Sequence, residues 1–358
     1  MFERFARWLT GSRGGKAASQ SRNGVAAFGK HPAWQDFMEL GVDSRPLADV
    51  KRHLHVGGIK PNLDRDDEGA WSRLTPEQRL DGFDHLLLWK MRRDVVLGRF
   101  WSSHDGSISR RPYPMFVCAH LRGFRLDCLL ERVWPALEWF EAATRQAGEK
   151  AAIERALEQT RAHVLEIAGE AEPAEERPEQ VAASLAAIAG NGGWGDGHIG
   201  LVRVLYEIER DMADFRPGGS GISTLATSWN LDRSARQIRV PRIAEQPGAA
   251  AKLWIHAMST LLDPSSPVLA LCPMQRPWVD IIVGMPGAEQ AFCVLASDKA
   301  MPLSSDVPYP LEPAFQEKAA ATISRWQGGH VAPGPEAQNG AVPAAAERNP
   351  SVSSRGEG

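Results

Sequence analysis

Val268-Leu-Ala-Leu-Cys272, a turn Pro273-Met-Gln-Arg-Pro277, then Trp278-Val-Asp-Ile-Ile-Val-Gly284: this stretch decides the fold class. Two short apolar runs bounded by Pro and Gly carry the signature of β-strands. A connection this short joins strands antiparallel, because a parallel pair needs a crossover of a dozen residues or more. A third run, Ala291–Ala296, follows further turn residues and extends the meander as another strand. Upstream, residues 249–262 carry a helical pattern stopped by Asp263-Pro264. A helix packed on an antiparallel meander is an α+β arrangement.

Working outward, the chain divides into five parts. Residues 1–23 form a flexible leader, in which Phe2, Phe5, Trp8 and Leu9 share a helical face with Arg4 and Arg7 beside it. Residues 24–124 are an N-terminal α+β part, with strands at Val25–Phe28, Asp94–Trp101 and Met115–Leu121 and a polar loop over Lys60–Gly69. A helix is expected from Pro76 to Arg92, with Thr75 as its N-cap and Pro76 at the first helical position. Residues 125–215 are a long helical section. Leu126, Leu129, Leu130, Val133, Leu137 and Phe140 recur at three- and four-residue steps, and Pro135 must kink or restart the helix there. A second stripe runs through Ile153, Leu157, Thr160, Val164 and Ile167, an acidic linker occupies 169–180, and helical patterns follow at 181–189 and 198–213. Residues 216–326 return to α+β, with strand-like runs at 222–229 and 237–241. Residues 327–358, rich in Gly, Pro, Ala and Ser, read as a disordered tail. The expectation is a mixed, largely antiparallel sheet flanked by helices.

Composition excludes several classes. A net charge of −3 over 358 residues gives no global attraction to nucleic acid or an anionic membrane. The sequence has no apolar stretch of the roughly 18 residues that a membrane span requires and no signal core, so a cytoplasmic location is expected. Four cysteines without a Cys-x-x-Cys pair read as reduced thiols. Cys118, His120 and Cys128 fit no usual zinc spacing, so no metal is expected. The glycines at 190, 192 and 195 formally spell a dinucleotide fingerprint, but a helical run precedes them where a strand is needed. Asp64, Asp66 and Glu68 resemble the start of a calcium loop that lacks its twelfth-position Glu, because Thr75 stands there. Gly219-Ser-Gly221 is no nucleophile elbow, since Ile222 replaces the needed Gly. His53-Leu-His55 would set two imidazoles on one side of a strand without a third ligand. No cofactor is implied.

Two stretches concentrate polar chemistry. The first is Phe28-Gly-Lys-His-Pro-Ala-Trp-Gln-Asp-Phe37, a strand end followed by a turn. The second is Ser103-His-Asp-Gly-Ser-Ile-Ser-Arg-Arg-Pro-Tyr-Pro114, a polar loop entering a strand. Lys30 can meet Asp36 across the turn, and Arg110 or Arg111 can form a bidentate bond with Asp36, making a buried structural latch. Gathered instead in an open pocket, His31, Asp36 and Arg110/Arg111 would suit a hydrolase. The absence of a complete catalytic constellation favours a protein that is not an enzyme.

At these two stretches the chain resembles the TagF (also called ImpM) family of type VI secretion-associated proteins. Phe28, Gly29, Lys30, Pro32, Asp36 and Phe37 match the family's first block, with His31 where Leu is usual. Ser103, Asp105, Arg110, Arg111, Tyr113 and Pro114 resemble its second block, with a loop about two residues longer, Pro112 inserted and Ser109 in place of Gly. The resemblance covers 24–121, with a weaker echo to about 315 that includes Trp254. It implies a post-translational regulator that holds a bacterial type VI secretion system inactive by protein–protein contact, with a forkhead-associated scaffold or another basal component as partner. A cargo adaptor or chaperone of that system is the alternative class.

Overall fold

The computed structural model describes residues 23–63, 69–106, 112–170, 183–186, 198–217 and 234–327. Its centre is one eight-stranded sheet: β1 Gly24–Lys30, β2 Phe37–Leu40, β3 Asp84–Met91, β4 Asp94–Ser103, β5 Tyr113–Arg122, β6 Arg236–Pro241, β7 Val268–Pro273 and β8 Trp278–Val283. The spatial order is β2-β1-β5-β4-β3-β7-β8-β6, and every pairing is antiparallel. β3 joins β7 with Lys90 opposite Val268, so strands from both ends of the sequence share one sheet.

Helices cover both faces. On one face lie the helices α2 (Trp134–Gln146), α3 (Lys150–Glu170), α4 (His198–Asp211), α5 (Pro247–Leu261) and α6 (Pro313–Trp326). They pack on Val25, Ala27, Leu97, Val117, Ala270 and Ile281. On the other face a helical run, α1, proceeds from Arg45–Asp49 through π-wound turns Val50–Ile59 into Lys60–Leu63. There Leu47, Leu54 and Ile59 meet Phe28, Leu87, Phe100, Phe116 and Leu271. The fold is therefore α+β, three layers deep, with a long helical insert between β5 and β6.

This burial on both faces explains where the sequence reading departs from the structure. The expected helix over Pro76–Arg92 is absent: one 3-10 turn spans Pro76–Gln78, where the Gln78 side chain accepts the Thr75 N–H, and β3 follows. Asp84-His-Leu-Leu-Leu-Trp-Lys-Met91 lacks the period-two alternation of a half-buried strand because both its sides enter cores. Ala291–Ala296 is likewise no strand. The chain there winds through turns Ala288–Ala291 and Phe292–Val294, and Arg239, more than fifty positions away, donates to the carbonyls of Cys293 and Ala296. His53 and His55 sit on α1 and not on a strand, with His55 buried.

Other expectations hold. β4, β5, β6, β7 and β8 fall where apolar runs placed them, and Leu201, Leu205, Ile208 and Met212 are all buried. The stripe from Ile153 to Ile167 is buried too. Helical winding changes to π over Leu129–Val133, directly before Pro135, whose ring cannot follow a regular preceding turn. The strand expected at 222–229, the acidic linker but for the end of α3, the leader and the tail lie outside the described residues. So do most of 181–189, of which 183–186 are helical.

Candidate functional site

The two polar stretches meet at one end of the sheet. β1 and β5 pair from Gly24↔His120 to Gly29↔Met115, which lays the end of the second block beside the start of the first. Gly29 has φ +129°, and a Cβ there would stand 2.3 Å from the Pro114 carbonyl oxygen, so only Gly lets the strands close. Beyond the strand ends, the Gly106 N–H donates to the Trp34 carbonyl at 2.8 Å and clamps the loop onto the turn.

That clamp sets the charge pairing. Lys30 Nζ donates to Asp105 Oδ2 at 2.5 Å, with side-chain exposures of 18% and 7%. The ammonium also lies over the rings of Phe37 and Tyr113, 5.1 and 5.3 Å from their centroids. Such contact suits a partly desolvated cation. The expected Lys30–Asp36 contact is thus replaced by Lys30–Asp105. Asp36 is exposed, so the buried latch carboxylate is Asp105 and not Asp36. Arg110 and Arg111 lie outside the described residues.

His31 is buried and turned inward. Its Nδ1 accepts the Ala33 N–H at 3.1 Å, which places the proton on Nε2, and Nε2 donates to the Thr144 carbonyl on α2 at 3.0 Å. Desolvation lowers its pKa, a shift the Thr144 bond only partly opposes, so the ring stays neutral. The imidazole expected to share a pocket with Asp36 is instead a strut between turn and helix. Trp34 meets it edge-on at 5.9 Å, with the Lys150 ammonium 5.4 Å from the indole.

Beneath Lys30 is an aromatic stack. Phe28 is fully buried against Phe116 at 5.0 Å, and Phe116 against Phe100 at 4.7 Å. His55 touches Phe28, Phe37, Tyr113 and Phe116, and neither of its ring nitrogens has a hydrogen-bond partner. Burial pushes its pKa down to about 3, with Lys51 and Lys60 adding to the effect. Of the remaining motif residues, Pro32 is exposed on the turn, while Ser103 faces Tyr113 across the β4–β5 ladder and Pro114 faces Ser102.

Beyond the exposed Pro32, Gln35 and Asp36 of the turn, the site shows an aromatic ring to solvent, flanked by charge. Phe37 is 37% exposed at the start of the edge strand β2, Val56 is 38% exposed on α1, and Lys60 Nζ lies 5.6 Å from the Phe37 centroid. Lys51 and Glu39 pair alongside. The sequence marked Phe37 but not Lys60, because only the packing of α1 on the sheet brings that ammonium to the ring.

No known family model matches the sequence, and no curated protein matches it. A partial structural likeness exists. PA0076 from Pseudomonas aeruginosa PAO1 is 19% identical over 38% of this chain, with a TM-score of 0.28. The chain covers 62% of that protein's length. A likeness this slight carries no argument about activity.

Among the described residues no helix is long and apolar enough to cross a membrane, and no group of three or more His, Cys, Asp or Glu could hold a metal ion. The buried cysteines Cys118, Cys272 and Cys293 have thiols pushed well up by desolvation, which makes them poor nucleophiles.

Proposed function

We propose that this chain is a non-catalytic, cytoplasmic regulator that holds a bacterial type VI secretion system inactive after translation, by direct contact with a protein of that system. The resemblance of 28–37 and 103–114 to the TagF family supplies the system and the direction of control. One observation carries the mode of action. Among the described motif residues, Lys30 and Asp105 are committed to each other and both nitrogens of His31 to backbone groups, and the aromatic left outward is Phe37 on an edge strand. Groups locked this way shape a surface and leave no paired base and nucleophile for turnover. An exposed aromatic beside Lys60 is the kind of anchor that dominates protein interfaces. The partner expected from the resemblance is a forkhead-associated scaffold or another basal component, and no cofactor enters.

The test is genetic and biochemical together. Deleting the gene in its native host should raise release of the secretion tube protein under silent conditions, and the wild-type chain should restore silence. A Phe37→Asp chain, folded as stably as wild type by thermal melt, should fail to restore it. A deletion strain that releases no more than its parent, or a Phe37→Asp chain that silences fully, overturns the proposal.

A further inference from the structure

The end of the sheet opposite the Lys30–Asp105 pair holds a cavity of about 290 Å³, close to the low end of the roughly 300–1,000 Å³ common for small-molecule pockets. It opens between the first turn of α1, the β3–β4 hairpin and the segments flanking β7 and β8. Its walls carry charge of both signs, three carboxylates and two guanidiniums, of which the exposed Asp43 is already held by Arg161 at 3.0 Å. Asp49 and Asp94 have side chains 21% and 24% exposed, whereas Arg45 is 73% exposed at the rim and Arg92 is also exposed. Met91 and Met285 add thioethers to the lining.

Three features point to a ligand. Arg45 and Asp49 approach only to 3.7 Å, a loose pair that either can leave. Arg92 is the one non-Gly residue with positive φ (55°) among the described residues, at the tip of a two-residue hairpin where Asn or Gly is usual. A bulky side chain in that conformation costs free energy, so the position favours Gly unless the guanidinium has a task. Burial also raises the Asp49 carboxyl above its ordinary value, a shift that a cation brought beside it would reverse.

A ligand with a single charge would be repelled by one half of these walls. We propose that the cavity binds a small zwitterion with an aliphatic side chain, an apolar α-amino acid. Its ammonium would rest on Asp49 and Asp94, its carboxylate on Arg92 and Arg45, and its side chain on the two methionines. Asp94 also accepts from the buried His120 at 3.0 Å, which fixes the carboxylate in place. The proposal is independent of the role assigned to the Phe37 surface, and it gives the chain a place to sense a metabolite.

Isothermal titration of the full chain with L-leucine and L-methionine tests it. Saturable binding is expected for at least one. N-acetyl-L-methionine and L-methionine methyl ester, each missing one charge, should bind about tenfold more weakly or not at all. Asp49→Asn and Arg92→Gly should each weaken binding by a similar factor. Arg92→Gly relieves the backbone and should melt no lower than wild type, so its loss of binding cannot be misfolding. Absence of saturable heat at millimolar amino acid overturns the proposal, as does equal affinity for the blocked forms or an unaffected Arg92→Gly chain.

Discussion

Replacing Asp105 by Ala should be far more damaging than replacing Lys30 by Met. At the 2.5 Å separation, with an effective dielectric constant of about 20, the gross attraction of Lys30 and Asp105 is about 6–7 kcal/mol. Desolvating the two groups takes back most of that, leaving a coupling of about 2 kcal/mol within the range of contacting residues. Asp105→Ala leaves an ammonium only 18% exposed, held over two aromatic rings and without its carboxylate, and should cost about 3–5 kcal/mol. Lys30→Met keeps the stem that packs on Phe37 and Tyr113, and the Asp105 carboxylate, though only 7% exposed, is not left without a partner, so the cost should be about 1–2 kcal/mol. Urea melts of wild type, both single variants and the double variant close the cycle. The double variant should recover part of the Asp105→Ala loss. Strictly additive losses would refute the pairing, as would Asp105→Ala melting with wild type.

Three further predictions concern other parts of the fold. Gly29→Ala should lower the melting temperature by several degrees, because a φ of +129° and a Cβ 2.3 Å from the Pro114 oxygen cannot be relieved by a side-chain rotation; calorimetry checks it. Asp280→Asn should cost about 3–5 kcal/mol, since it removes the charged partner of Arg239, whose side chain is wholly buried on Trp278; Arg239→Met should cost at least as much in chemical melts, because it also strands the carbonyls of 293, 296, 297 and 301 to which Arg239 donates, and adding Asp280→Leu should not restore them. Stability should fall with acid because desolvation holds both His55 and His85 at about 3, below the ordinary 6.5. Lowered folded-state values mean the unfolded chain binds more protons, so this stability is complete above 6.5 and lost as pH falls toward 3, by about 1.4 kcal/mol per unit for each ring. Melting temperature against pH measures it, and His55→Phe should flatten the slope.

The stretch 249–284 was fully legible because its helix and strands are local, bounded by Pro and Gly, and joined by a short turn. Asp84–Met91 was not. A run of Leu and Trp buried on both sides fits a core helix as well as a central strand, and the choice between them is made by β4 and β7 on either side. Ala291–Ala296 is held in helical turns by the Arg239 guanidinium, a contact that no local pattern encodes. At the candidate site, the two blocks were readable as partners, yet the wrong carboxylate was assigned to Lys30. Asp36 is nearer in sequence, but the Gly106–Trp34 hydrogen bond carries Asp105 over the ammonium. That His31 braces the turn was not readable, because the Thr144 carbonyl it binds lies over a hundred residues away.

The seam between β3 and β7 has a consequence for how the molecule comes into being. Lys90 waits for Val268, and nearly half the chain must be made between them. At ribosomal speeds of about 5–20 residues per second that interval is roughly 10–40 s, during which Asp84–Met91 has β4 on one side and an open edge of Leu and Trp on the other. Such an edge invites other nascent chains. The helical section made during the wait packs on one face of the sheet and does not cover this edge, which closes only when β7 pairs with β3.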